Sequence, residues 1–274
     1  MTNNIEEVSD LESIFVIGSN TTENHPVIGA KIKQAVSKGA KLIVADPRKI
    51  ELAKRADVFL QINPGTNVAL LNTMMNVIIS ENLQDDEHIK ERTENYEALK
   101  KLVKDYTPEE CARICGVDKE DIIKAARIYA TNNSAIFYSM GITQHSTGTQ
   151  NVMSISNLAP LCGNLGKEYA GVNPLRGQNN VQGACDMGTL PNVFTGYQSV
   201  LNEDIVKKFE NAWGVKLSNR VGLTVPEITN AIGHGDIRFL YIMGENPMIS
   251  DPDINHIKKA LEKLDFLVVQ DILN

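Results

Sequence analysis

Within this chain of 274 residues, the run Leu175-Arg176-Gly177-Gln178-Asn179-Asn180 gathers the groups best suited to hold a polar ligand. One arginine is followed by a glycine and three side-chain amides, and an amide both donates and accepts hydrogen bonds. A surface turn with a solvated arginine is the plain alternative. Against it stands the density of amides around one cation at an expected domain junction, where clefts form. The run lies in a longer glycine-rich stretch, with Gly163, Gly166, Gly171, Gly177, Gly183 and Gly188 interleaved with Asn173 and Gln182. A loop of this length is functional or disordered, and the rigid Asn173-Pro174 predicts an ordered one.

A second candidate is Asp46-Pro47-Arg48. Asp46 is either a turn former before proline, with Arg48 solvated, or an acceptor for ribose hydroxyls with Arg48 near a diphosphate. Other short polar segments share its position just after an apolar run: Gly18-Ser19-Asn20, Pro64-Gly65-Thr66-Asn67, Met140-Gly141-Ile142-Thr143-Gln144, Gly244-Glu245-Asn246-Pro247 and Gln270-Asp271. Glycines there let a ligand approach backbone, and acids and amides suit ribose hydroxyls and base edges. No G-x-G-x-x-G turn and no Walker lysine motif is present, which disfavours a simple NAD or P-loop domain. Cys111 and Cys115 have helical spacing, but nothing nearby completes a metal set, so two buried structural thiols are expected. His25 and His145 sit in loops and are expected to be packed or surface residues. No Ser-His-Asp or paired-carboxylate constellation follows from spacing.

The elements that must position these residues alternate. Apolar runs at Ile14–Ile17, Lys41–Ala45, Val58–Ile62 and Ser134–Ser139 read as strands, as do Arg238–Met243 and Phe266–Val269. Helices are expected after Pro26, over Val68–Ser80, from Pro108 behind a Thr107/Glu110 capping box, from Lys119 behind Asp118, and over Thr149–Leu161. Further helices are expected at Asp204–Trp213, Pro226–Ile232 and Asp253–Leu264. Strands alternating with helices imply an α/β fold of αβα layers around mainly parallel, Rossmann-like sheets. The order restarts after the glycine-rich stretch, so residues 1–176 are expected to form one full domain and residues 177–274 part of a second. In such sheets ligands bind beyond the carboxyl ends of the strands.

Twenty-seven basic against 34 acidic residues give a net charge of −7, which disfavours nucleic acid as a partner. Residues 1–10 lack the basic and apolar regions of a signal peptide. The longest apolar stretch, Val68–Ile79, is broken by Asn72, Thr73 and Asn76, so no membrane span is expected. Sparse cysteines suit a reducing, cytoplasmic compartment.

The segments Leu165-Gly166-Lys167, Gly171-Val172-Asn173-Pro174 and the continuous Arg176–Gly188 run closely resemble the central part of formate dehydrogenase large subunits. Gly18-Ser19-Asn20 with His25-Pro26, Asp46-Pro47-Arg48, Met140-Gly141, Gly244-Glu245-Asn246-Pro247 and Val269-Gln270-Asp271 follow in that family's order. The resemblance covers nearly the whole chain. It implies a molybdenum or tungsten enzyme of the dimethyl sulfoxide reductase superfamily that carries two molybdopterin guanine dinucleotides and oxidises formate to carbon dioxide.

By that resemblance Gly18, Asn20, Glu23, Asp46, Arg48, Gly65 and Asn67 line one nucleotide site, with Glu23 standing where aspartate is common. Met140, Gly141, Gln144, Gly244, Glu245, Asn246, Gln270 and Asp271 serve the other site or the junction. Arg176 is the catalytic candidate, its guanidinium fork matched to the two oxygens of formate. Gly177 stands beside it and Gln178 contacts the pterin. Related nitrate reductases tend to carry threonine in place of Arg176. No metal ligand is expected here, because none of the four cysteines precedes a histidine. The cluster motif for [4Fe-4S] would belong to an N-terminal part, and an electron-transfer subunit would complete the enzyme. The chain is therefore expected to be an internal fragment, inactive alone. The alternatives are another molybdopterin oxidoreductase and a non-catalytic nucleotide-binding or docking module.

Overall fold

A computed structural model describes residues 1–251 and 253–272. Of the expected second domain, residues 252, 273 and 274 lie outside them. The chain divides into two compact units, Met1–Asn179 and Asn180–Asn274.

The first unit is built on β1 (Ser13–Ile17), β2 (Lys41–Ala45), β3 (Val58–Leu60), β4 (Ser134–Tyr138) and β5 (Gly171–Pro174). They form one parallel sheet in the order β3-β2-β1-β4-β5. Every residue of β1 and β4 is buried, which is why these strands read as unbroken apolar runs. Side chains alternate between two cores. Ile14 and Val16 join Ile28, Ile32 and Ala35 of helix Pro26–Ser37 on one face. Phe15 and Ile17 join the helices Asn67–Ser80, Lys119–Ala130 and Gly148–Leu161 on the other, through Leu70, Met74, Ile122, Ala126, Ile155 and Leu158.

Two expectations need correction. Thr107 caps its helix by accepting from the Glu110 N–H at 3.3 Å, but Glu110 does not reach back. Its carboxylate pairs with Arg113 at 2.5 Å, a stronger partner than a solvated amide. The segment read as loop from Gly166 also contains β5 and a helix, Val181–Asp186. β5 has four residues and ends in proline, so periodicity cannot reveal it. Its pairing with β4 makes it a strand, and its outer edge is tied to the N-terminus by the Thr2 N–H bond to Val172 O at 3.0 Å.

The second unit has a short antiparallel pair, β6 (Val193–Phe194) and β7 (Gln198–Ser199), and a parallel pair, β8 (Phe239–Met243) and β9 (Phe266–Gln270). Helices Val225–His234 and Ile254–Leu261 pack together and bury Ile232, Ile257 and Ala260. Phe209 lies between Phe194 and Trp213, with ring centroids 4.8 and 5.0 Å away. The α/β class with mainly parallel sheets is thus observed.

Candidate functional site

The strand order reverses between β1 and β4, since the chain runs outward from β1 through β2 to β3 and then returns to β4. Loops leaving the carboxyl ends of β1 and β4 must part there, opening a crevice. A cavity of about 350 Å³ occupies that place, between the loops after β1, β2, β3 and β4.

Its floor is a contact between two glycines. The Gly141 N–H donates to Gly18 O at 3.1 Å. A Cβ on Gly18 would come within 2.7 Å of the Gly141 carbonyl carbon, and Gly18 has φ +57°. Only residues without side chains let these loops meet. His145 Nε2 bonds Gly141 O at 2.9 Å. A carbonyl only accepts, so that nitrogen carries the proton.

Asp46 lies on one wall and is 5% exposed. Its Oδ1 accepts from the Arg48 N–H at 2.8 Å, forming the turn, while Oδ2 has no hydrogen bond among the described residues. Burial raises the carboxyl above its ordinary range, and the Arg48 N–H and guanidinium oppose that rise. The Arg48 guanidinium stands 3.9 Å from Oδ1 and is largely exposed.

The opposite wall is the loop after β3 and the start of helix Asn67–Ser80. The Thr66 hydroxyl donates to Asn63 O at 2.7 Å instead of capping that helix, so the first helical amides lack a side-chain acceptor. Uncapped amides at a helix N-terminus favour anions. Gly65 has φ +86°, and a Cβ there would meet nothing within 4 Å, so its backbone is open. The buried Ser19 Oγ and Asn20 Oδ1 have no partner among the described residues.

Cys115 braces this wall. Its carbonyl accepts from the Asn63 N–H at 2.8 Å, and the Asn63 amide donates to Ile114 O at 3.2 Å. The Cys111 and Cys115 sulfurs are buried 3.4 Å apart. That bond pushes the Cys111 thiol up and draws Cys115 down. Among the described residues no group of three or more His, Cys, Asp or Glu is placed to hold a metal.

The cavity brings together Gly18, Asn20, Asp46, Arg48, Gly65 and Asn67, and places Met140 and Gly141 in the same lining. Glu23 and Gln144 are exposed and outside it, as are Arg176, Gly177 and Gln178 at the end of the unit. In the second unit Gly244 has φ +63° and donates to Gln270 O at 3.0 Å. Tyr241 donates to the Gln270 side chain, Glu245 accepts from Ser250 at 3.0 Å, and Asn246 caps the next short helix. Asp271 is exposed beyond β9. Sequence reading missed Asn24, Asn63, Ser139 and His145 as lining residues. Asn63 directly follows one strand run and Ser139 ends another, which is a usable signal. Asn24 and His145 reach the cavity only through the short helices after β1 and β4.

A cavity at the strand crossover of a parallel α/β unit lies where folds of this class bind their ligands. The family description "Molybdopterin oxidoreductase" matches residues 1–274, and the chain belongs to that family, whose members use a molybdopterin cofactor. It is 58% identical over 273 residues to the F420-dependent formate dehydrogenase subunit alpha of Methanocaldococcus jannaschii, covering 99% of this chain and 40% of the relative. Formate dehydrogenase H of Escherichia coli is 46% identical, with 99% of this chain and 38% of the relative covered. The chain thus spans about 40% of the length of these relatives. Acetylene hydratase from Pelobacter acetylenicus shares the fold, with a TM-score of 0.69 at 22% identity over 98% of this chain and 41% of that one. Among the described residues no helix is long and apolar enough to cross a membrane.

Proposed function

We propose that this chain is the inner, cofactor-binding part of a formate dehydrogenase catalytic subunit that carries molybdenum or tungsten on two molybdopterin guanine dinucleotides. The observation that carries the reading is the crossover cavity, whose polar groups are left waiting for a ligand. Among the described residues Asp46 Oδ2, Asn20 Oδ1 and Ser19 Oγ have no hydrogen-bond partner, and no side chain caps the helix at Asn67. Sugar hydroxyls and base N–H groups would satisfy the acceptors, and a diphosphate would satisfy the helical amides with help from Arg48. The identities to formate dehydrogenase alpha subunits support the choice of group and substrate.

In this reading one unit holds the guanosine end of one dinucleotide. Residues 177–274 contribute to the other through Gly244, Glu245, Asn246, Gln270 and Asp271, while Glu23 flanks the first site and Gln144 serves the other site or the junction. When bound, the metal supplies the two-electron acceptor for formate. The residues of this chain bind and orient. Arg176 presents its fork to the formate carboxylate, Gly177 leaves room for the Met140 side chain, and Gln178 hydrogen-bonds the pterin. The guanidinium makes no ion pair among the described residues, and its positive charge opposes the rise that burial gives the Tyr138 hydroxyl. The metal ligand, a [4Fe-4S] cluster and contacts to an electron-transfer subunit belong to other parts of the protein, in the cytoplasm. This segment alone binds no substrate productively.

The test is the full-length protein purified without oxygen, assayed for formate-dependent dye reduction, with the guanosine nucleotide released by acid identified by mass spectrometry. Formate oxidation with bound guanosine nucleotide is the expected result. Nitrate reduction without formate oxidation would replace the substrate, and a protein without guanosine nucleotide would remove the reading.

A further inference from the structure

We propose that His25 is a positioning residue for Arg176, holding the arginine's backbone through a hydrogen bond across 151 residues of sequence. The inference rests on the reading above, in which Arg176 orients formate.

The backbone of His25 is fixed from both sides. Its N–H donates to Thr21 O at 3.0 Å, closing the short helix after β1, and its carbonyl accepts from the Gly29 N–H at 2.9 Å in the first turn of helix Pro26–Ser37. A Cβ at Gly29 would lie 2.9 Å from Thr21 O, so glycine lets the two helices pack this closely. Thus anchored, His25 Nε2 reaches Arg176 O at 2.6 Å. A carbonyl oxygen cannot donate, so Nε2 carries the proton and the imidazole is the donor. The other nitrogen, Nδ1, is buried without a partner among the described residues, so nothing else accounts for the ring's orientation.

Arg176 is where a clamp is needed. It lies just beyond β5, and the preceding residue is held by two bonds from the adjacent strand end. The Leu175 N–H donates to Tyr138 O at 2.7 Å, and the Ser139 hydroxyl donates to Leu175 O at 2.8 Å. The His25 bond extends this set by one residue, onto the carbonyl of Arg176. Residues 177–179 donate no backbone hydrogen bond among the described residues. Without His25 the last tie falls at Leu175, and Arg176 gains freedom about its own backbone. A guanidinium fork engages two oxygens only over a narrow range of orientation. Loosening its base therefore weakens substrate alignment without removing any group that touches substrate. Hydrogen-bond partners that orient metal ligands change affinity or activity by roughly ten- to a hundredfold when removed, and the low end of that range is taken for a partner that orients an arginine.

The experiment uses the full-length enzyme with two His25 variants of similar length. His25→Gln keeps an N–H donor, and His25→Met removes it. His25→Met is expected to raise the KM for formate about tenfold with a smaller change in kcat. It should weaken calorimetric binding of nitrite, a bent two-oxygen anion, by a similar factor, with pterin content unchanged. His25→Gln should recover most of both losses. In an Arg176→Ala background, His25→Met should add nothing further, because it acts through the residue already removed. Losses that multiply in the double variant would overturn the proposal, as would a His25→Met enzyme with unaltered formate KM and nitrite binding. Arg176→Ala with an unchanged formate KM would instead remove the role of Arg176 itself. Equal loss of binding and pterin in His25→Met and His25→Gln would mean a purely structural histidine, and would also overturn the proposal.

Discussion

The two units use strands of the same chemistry and bury them differently. β1 reads Ser-Ile-Phe-Val-Ile and β8 reads Phe-Leu-Tyr-Ile-Met. All of β1 is buried, whereas Phe239, Tyr241 and Met243 of β8 and Phe266 and Val269 of β9 are exposed. Both units also place glycine in a left-handed turn after the strand, at Gly18 and Gly244. Yet Gly18 is pressed against Gly141, while a Cβ at Gly244 would meet nothing within 4 Å. An apolar parallel strand is written for layers on both faces. The first unit supplies them, with five strands between two helical cores. The parallel sheet of the second has two strands, and Ile242 is the residue of β8 buried beneath helices Val225–His234 and Ile254–Leu261. A two-stranded sheet is marginal by itself.

Three tests break or sharpen this contrast. Phe137→Ala, at a fully buried position of β4, should cost about 3–5 kcal/mol. Phe239→Ala, 55% exposed and stacked on Phe266, should cost about 1 kcal/mol or less. Denaturant unfolding can follow both, because the single tryptophan, Trp213, reports the second unit while circular dichroism reports the helices of both. Equal losses would erase the distinction between the units.

The second test compares the two glycines in the same unfolding assay. Gly18→Ala combines left-handed strain with a clash against Gly141 backbone and should cost about 3 kcal/mol. Gly244→Ala carries the strain alone and should cost about 1 kcal/mol. A Gly18→Ala protein of unchanged stability would mean that the cavity floor yields easily.

The smallest effect concerns Asp46. Burial raises its carboxyl above the ordinary 3.8 in the folded chain. A raised group stabilises below its unfolded value, and that contribution is lost as pH rises through the folded value. Asp46→Asn removes this dependence. Relative to the native chain, the variant should gain stability as pH rises from 3.8 towards neutrality. In the full-length protein it should lower the content of bound guanosine dinucleotide. A gain in stability with undiminished nucleotide would make Asp46 a turn former and no more.

Much of the scaffold was legible before the structure. Ile14–Ile17, Lys41–Ala45 and Ser134–Ser139 announce strands because burial on both faces demands unbroken apolar runs, and Pro26 and Asp118 mark helix starts through local chemistry. β5 was hidden, because four residues with glycine and proline carry no periodic signal. The Glu110 cap was misread because an arginine one turn later competed for its carboxylate. At the site, Gly18, Asp46 and Gly65 stood out by following strands. His25 did not, since its significance lies in a contact 151 residues away.

The amino-acid sequence by itself determined the strand and helix alternation, the candidate ligand groups and the kinship carried by the Arg176–Gly188 run. These are local matters, set by periodicity, turn chemistry and residue identity within a few positions. Only the tertiary structure decided that Gly18 and Gly141 share one floor, that Met140 joins Asp46 and Asn67 around one cavity, and that a histidine after β1 holds the arginine after β5. Such juxtapositions depend on strand order, and the order β3-β2-β1-β4-β5 is chosen by how the sheet packs its helices, which no short stretch of sequence encodes.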